Sequence, residues 1–215
     1  MTKLPILITA IGGGGHGEQI LKAIRLAPDH KYFLVGADAN PDCPQFELVD
    51  EKVVLPLASN PAYLEHLLGA CKKYEIRALF HGCEPELKLF AKNRRRIEEQ
   101  GIFLPINPDS VIETCMDKVK TNQILTDLGF DPPQFKKITT KEALKQLDWF
   151  PVVVKPSIGS GGSANVYIAQ NIQELLGLAD YLGLEEIADS FLVQEYVGTP
   201  DGEYTVGVLH DMDGN

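Results

Sequence analysis

Long apolar runs are missing from this 215-residue chain, and nothing in it approaches the roughly 20 residues that a bilayer-crossing helix needs, so no membrane partner is expected. Positive charge is scarce as well. The 20 Lys and Arg against 30 Asp and Glu leave a net charge of -10, which argues against a nucleic-acid or anionic-membrane surface, since both require clustered cation. The one basic run, Lys92 to Arg96, continues into Glu98 and Glu99 and reads as a solvated helix face. Cysteine is sparse: Cys43, Cys71, Cys83 and Cys115 form no CxxC and no zinc-type pairing with histidine. Free thiols in a reducing cytoplasm are therefore expected, and a cytoplasmic location with them. Leu4 to Ile11 follows Lys3 but contains a proline and a threonine, lacks a small-residue cleavage pattern and runs into glycines, so it reads as a first strand rather than a signal peptide. No internal repeat or low-complexity tract is visible.

What is present is ordinary globular composition, 44% hydrophobic and 23% charged, on a length that suits one large domain or two small ones. Strand and helix patterns alternate over the first 105 or so residues: Leu4–Ala10, Glu18–Leu26, Tyr32–Ala37, Val53–Leu55, a helix started by Asn60-Pro61, Ile76–His81, a helix over Glu84–Glu99 and a short strand over Ile102–Leu104. Tyr63, Leu64, Leu67, Leu68 and Cys71 form the apolar stripe of the Asn60-Pro61 helix. The alternation predicts a parallel sheet with helices on both faces.

Ligands of such sheets gather beyond the carboxyl ends of the strands. Two segments belong there, Gly12 to His16 and His81 to Glu86. Gly12, Gly14 and Gly17 satisfy G-x-G-x-x-G, and Asp38 follows the second strand where a ribose-binding acid would stand, so a nicotinamide or flavin dinucleotide site is one reading. A tight glycine turn required by any doubly wound sheet is the other. Gly13, Gly14, His16, Glu84 and Glu86 are candidate substrate-binding residues. Glu84 and Glu86 would hold an amine or polar substrate, or else serve the dipole at the start of the following helix.

Asn107-Pro108-Asp109 marks a boundary, giving domains of 1–110 and 111–215. Beyond it Asp117 reads as the N-cap of a helix ending at Gly129, Thr140–Leu147 and Ile172–Leu182 as helices, and Phe191–Val197 and Gly202–Leu209 as strands. This half is α+β with mostly antiparallel strands. Its centre is Pro151 to Val166: a β-branched strand, Lys155, a loop with Gly159, Ser160, Gly161 and Gly162, and a second strand. Glycine lets backbone N–H groups close on phosphate oxygens, and a lysine at the strand end adds a cation to the same anion. A Ser/Gly hairpin turn with a surface lysine is the plainer alternative.

Taken in order, Asp117-Lys118, Val153-Val154-Lys155-Pro156-Ser157, Gly159-Ser160-Gly161-Gly162, Gln194-Glu195-Tyr196-Val197 and Gly202-Glu203-Tyr204-Thr205-Val206 resemble the ATP-grasp superfamily, most nearly its carbamoyl-phosphate synthase large-subunit-like members. The resemblance implies an α/β fold, with a Rossmann-like pre-ATP-grasp domain followed by a partial α+β ATP-grasp domain. It implies a ligase that activates a small-molecule carboxylate with ATP and Mg2+ for attack by an amine or similar nucleophile. Lys118 and Lys155 would contact ATP phosphates under the 159–162 loop, Glu195, Tyr196 and Val197 would meet the adenine edge, and Glu203 the ribose hydroxyls. A homodimer is common for enzymes of this size.

The family's metal carboxylates are expected beyond Asp211-Met212-Asp213-Gly214-Asn215, so no catalytic or metal-binding residue is expected within these residues and turnover by them alone is not. An NAD(P)-binding oxidoreductase domain and a non-catalytic ATP-binding fragment are the alternatives.

Overall fold

The structure is a computed structural model that describes residues 3–27, 31–158, 165–183, 190–202, 204 and 206–208. It divides into two compact units, Met1–Met116 and Asp117–Asn215. No helix among the described residues is long and apolar enough to cross a membrane.

The first unit holds strands β1 (Leu4–Ile8), β2 (Tyr32–Asp38), β3 (Glu51–Val54) and β4 (Ala78–Phe80), in spatial order β3-β2-β1-β4 with every pairing parallel. Alternation along β1 sends Leu7 to one face and Ile6 and Ile8 to the other. Leu7, Val35 and Leu79 pack with Leu67 of helix α2 (Tyr63–Lys73), Phe90 of α3 (Glu84–Lys92) and Ile97 of α4 (Arg94–Glu98). Ile6 and Ile8 pack with Leu21 of α1 (His16–Arg25). Both faces are thus covered, as the alternating pattern predicts. All five residues of the α2 stripe are buried, each large aliphatic side chain contributing about 1.5–3 kcal/mol by leaving water.

Local differences from the sequence reading have local causes. The expected 84–99 helix breaks at Asn93, whose backbone N–H and side-chain amide both donate to the Leu89 carbonyl and close the α3 helix there. The Asn60 carboxamide accepts from Ala62 N–H at 2.9 Å, forming a turn two residues ahead of α2 rather than capping it. Ile102–Leu104 contributes one parallel bridge, Phe103 beside Ala78, rather than a full strand. The basic run is neutralised on the surface: Arg94 pairs with Glu98, Arg95 with Glu99 and Arg96 with Glu65. Helix α5 (Asp109–Met116) completes the first unit.

The second unit contains α6 (Lys118–Asp127), β5 (Phe135–Lys137), α7 (Lys141–Leu144), β6 (Val152–Pro156), β7 (Tyr167–Ala169), α8 (Ile172–Leu182) and β8 (Phe191–Glu195). Its strands lie in the order β5-β8-β6-β7, all antiparallel. One face, with Val152, Val154 and Val193, packs on Leu144 of α7 and Leu175 of α8. Asn171 caps α8 by accepting from Glu174 N–H at 3.0 Å while Glu174 reaches back to Gln170 N–H, and Gly183 ends the helix at φ +60°. The sequence does not announce β5: its three residues, Phe-Lys-Lys, acquire strand form from pairing with β8. The expected Gly202–Leu209 strand is not seen among its described residues. Residues 200–202 form a 3-10 turn, and 204 and 206–208 carry no strand.

Candidate functional site

At the carboxyl end of β1 the chain turns through Gly13 and Gly14, at φ +75° and +76°, backbone that a side chain would strain. Two N–H donors of this turn are engaged by the chain's own acids. Gly12 donates to Asp38 Oδ2 and Gly14 to Glu18 Oε2, both at 2.8 Å. Lys22, hydrogen-bonded to Glu18, holds that carboxyl below its usual range. A pyrophosphate brought here would meet the Asp38 and Glu18 carboxylates at those two donors, so the geometry does not support the dinucleotide reading. Asp38, the predicted ribose ligand, instead ties its own strand end to this turn and accepts from Asn40 N–H at 2.9 Å.

The neighbouring strand end, after β4, is built around Glu86. This residue is 5% exposed and accepts from the Thr9 hydroxyl at 2.6 Å, the Tyr63 hydroxyl at 2.6 Å and Gly82 N–H at 3.0 Å. Gly82 allows the close approach: a Cβ there would stand 1.9 Å from the Thr9 carbonyl oxygen. Burial first, and then Glu86, push the Tyr63 phenol up, keeping it a donor. Burial also raises the Cys83 thiol to about 11, which leaves it protonated and unreactive near neutrality. His81 is pushed down by burial, with His16, 6.4 Å away between ring centres, adding to the effect. Glu84 stays exposed in the first turn of α3.

Of the predicted residues of this edge, then, Glu86 braces it, Gly13 and Gly14 shape the turn, the two histidines approach each other, and Glu84 faces solvent. A cavity of about 180 Å3 opens at the same edge, bordered by Ala37, Asp38, Leu55, Ala58, Cys83 and Glu86. A larger depression of about 780 Å3, lined by Ile76, Arg77 and Arg96, lies at the other end of the sheet, away from the edge where parallel sheets collect ligands.

In the second unit the second candidate region begins with a cap. Asp117 accepts from Val119 and Lys120 N–H at 3.0 and 3.2 Å, starting α6 as its sequence predicts. The first helical residue, Lys118, donates its backbone N–H to the Ser157 carbonyl at 3.0 Å, and Asp117 bridges Ile158. These bonds fasten the start of α6 beside the end of β6 and bring together Lys118 and Lys155, which lie far apart in sequence. Lys155 stands opposite Leu192, on the sheet face away from Val152 and Val154. Burial lowers its pKa, and Lys118 lowers it further. Among the described residues no carboxylate forms an ion pair with it. A bound anion would favour the charged form of Lys155 against both effects.

Ser157, 5% exposed, joins this corner to the residue before β8 by donating from both backbone and hydroxyl to the Ser190 carbonyl. In sequence Ser157 stands out only as the last residue of Val153-Val154-Lys155-Pro156-Ser157. At the expected hinge, Glu195 N–H donates to Gln134 and Tyr196 N–H to Pro151, at 2.8 and 3.0 Å. Those two donors are thus engaged within the sheet, and Val197 is the exposed member of the segment. Gly159, Ser160, Gly161, Gly162 and Glu203 lie outside the described residues.

Comparison with known proteins matches residues 6–105 to the PylC-like N-terminal domain and residues 115–209 to the RimK-like ATP-grasp domain. A D-alanine–D-alanine ligase of Anaplasma marginale (strain Florida) is 36% identical over 84 residues, which is 38% of this chain and 24% of that protein. Among solved structures, an L-amino acid ligase from Bacillus licheniformis aligns at a TM-score of 0.67 with 21% identity, covering 92% of this chain and 45% of the other. A biotin carboxylase from Campylobacter jejuni in complex with β,γ-ATP aligns at 0.68 with 19% identity, covering 90% and 45%. The chain belongs to the ATP-grasp superfamily. It spans about a quarter of the Anaplasma marginale relative and under half of these two solved neighbours.

Proposed function

We infer that these residues are the nucleotide-binding part of an ATP-dependent carboxylate–amine ligase of the carbamoyl-phosphate synthase-like kind. The observation that carries this reading is the pairing of Lys118 with Lys155, whose ammonium is destabilised by burial and by its neighbour. A bound polyphosphate would relieve both effects at once. Lys118 and Lys155 would oppose phosphate charge, Gly159, Ser160, Gly161 and Gly162 would close over it with backbone N–H groups, Val197 would offer the adenine edge its backbone, and Glu203 would accept from the ribose hydroxyls. ATP, when bound, supplies the phosphoryl group that turns a carboxylate into an acyl phosphate, and an amine then displaces phosphate from the acyl carbon. Positioning and charge neutralisation are the protein's share of such chemistry.

Bound nucleotides in the neighbours support the reading. Besides the carboxylase complex above, a Hydrogenobacter thermophilus 2-oxoglutarate carboxylase biotin carboxylase domain dimer was solved with magnesium ADP and bicarbonate; it has a TM-score of 0.67 at 21% identity and covers 92% of this chain and 45% of that one. No cluster of three or more His, Cys, Asp or Glu able to hold a metal occurs among the described residues, so no residue is assigned to Mg2+.

Calorimetric titration of ATP and, in parallel, NAD into the chain tests the reading. Lys155→Ala should weaken ATP by about 1.5–3 kcal/mol, the range of a charge-assisted hydrogen bond. Unchanged ATP affinity in a folded variant removes Lys155 from the site. Tight NAD binding abolished by Gly14→Val would favour the oxidoreductase.

A further inference from the structure

We propose that the cavity at the carboxyl edge of the first unit's sheet binds a small primary amine with a compact apolar body, its ammonium directed to Asp38. The proposal builds on the ligase reading and adds to it the chemistry of the nucleophile. The volume, about 180 Å3, is close to that of an apolar cavity of about 150 Å3 known to hold benzene, so a branched aliphatic group or a single ring fits. Ala37, Leu55, Leu57 and Ala58 supply walls without side-chain polar atoms.

The charged groups on the described lining are Asp38 and Glu86, and no Lys, Arg or His accompanies them. Glu86 already accepts from Thr9, Tyr63 and Gly82. Asp38 accepts two bonds, from Gly12 and Asn40. A carboxylate offers about four acceptor positions, so Asp38 retains room for an ammonium. That contact would be charge-assisted and strengthened by partial burial. A ligand carboxylate or phosphate of the same shape would meet two acids with no cation to offset them. The cavity therefore selects by charge at one end and by size at the other.

The test is to titrate isobutylamine and benzylamine, and the matching acids isobutyrate and benzoate, into the 215-residue chain at pH 7 by calorimetry or NMR. Each amine should bind saturably and at least about tenfold more tightly than its acid, as one charge-assisted bond implies. Asp38→Asn keeps an oxygen for Gly12 N–H and should lose that preference, and Ala58→Leu should fill the cavity and abolish amine binding, with thermal melts confirming both folds. Acids binding as well as amines, or wild-type chain showing no saturable amine binding, overturns the proposal without reliance on either variant. ATP titrated into the same samples separates the two readings: ATP bound without amine removes the cavity proposal alone, and amine bound without ATP removes the nucleotide reading alone.

Discussion

The strand end after β1 and the strand end after β6 both lead into glycine-rich sequence, yet their surroundings treat charge in opposite ways. After β1 the Gly12 and Gly14 N–H groups are satisfied by Asp38 and Glu18, and the nearby Glu86 adds a third acid. After β6 the fixed groups are Lys118 and Lys155. Similar glycine content therefore does not mean similar ligands. On the proposed reading a phosphate would go to the cationic corner, whereas a glycine turn held by its own carboxylates is structural or faces a cation. The G-x-G-x-x-G spacing cannot reveal this, because the acids that occupy its donors are decided by local folding and by the adjacent strand.

Breaking the acidic side of the contrast should have the largest effect. Glu86→Ala leaves the Tyr63 hydroxyl and Gly82 N–H without their acceptor and the Thr9 hydroxyl with only its 3.3 Å bond to the Phe80 carbonyl, and at about 1–3 kcal/mol for each of the two unsatisfied groups the total loss should reach about 2–6 kcal/mol, measured by urea unfolding. A cost under about 1 kcal/mol would mean that Glu86 is not the brace of this edge. Next comes the cationic side. If Lys118 and Lys155 address one polyphosphate, Lys118→Ala should also weaken ATP by about 1.5–3 kcal/mol, and the double variant should lose less than the sum, as groups sharing a partner do. Strict additivity in the calorimetric cycle would place the two lysines on separate ligands.

Acidity sharpens the comparison further, with slopes of at most about 1.4 kcal/mol per pH unit for one proton. His81 titrates below its ordinary value of 6.5 when folded, so between its folded pKa and 6.5 the unfolded chain binds more protons. Stability from His81 is present above 6.5 and is lost as pH falls through that window. His81→Phe should remove the slope. Lys155 is also depressed, below 10.5, so stability likewise rises with pH from its folded value toward 10.5. Its response to ligand differs: bound ATP should raise the Lys155 pKa, and affinity should fall as pH rises through the value in the free protein. NMR titration of His81 and Lys155 with and without ATP checks this, and an ATP-insensitive Lys155 would break the contrast. The smallest effect is at the helix cap, where Asp117→Ala should cost about 1 kcal/mol in thermal unfolding, with a slight weakening of ATP because Lys118 begins the capped helix. An unchanged melt would show that the Ser157 bond alone fixes the helix start.

Much of the architecture is written in short-range pattern. Period-2 alternation along β1, the Leu64, Leu67, Leu68 and Cys71 stripe and the β-branched run of β6 mark their elements, since side chains repeat with the period of the backbone that carries them. Asp117 and Asn171 mark helix starts because a cap bonds to N–H groups only two or three residues away. Where a competing bond is equally local but chemically ambiguous, as at Asn60 and Asn93, the element boundary shifts. Phe135–Lys137 has no strand pattern of its own and is a strand because β8 pairs with it.

The sequence by itself determined the order of elements, the caps, the apolar faces and the family signature, because each depends on residues within a few positions of one another or on their order along the chain. Tertiary structure alone decided that Lys118 meets Lys155, that Asp38 closes the glycine turn, and that Glu86 lies buried under Thr9 and Tyr63. Those partners are 26 residues apart for Gly12 and Asp38 and 77 apart for Thr9 and Glu86. Whether such a charge lies free or satisfied depends on which strand ends the packed sheet sets side by side, and burial then strengthens the electrostatic consequence beyond anything the isolated residue would show in water.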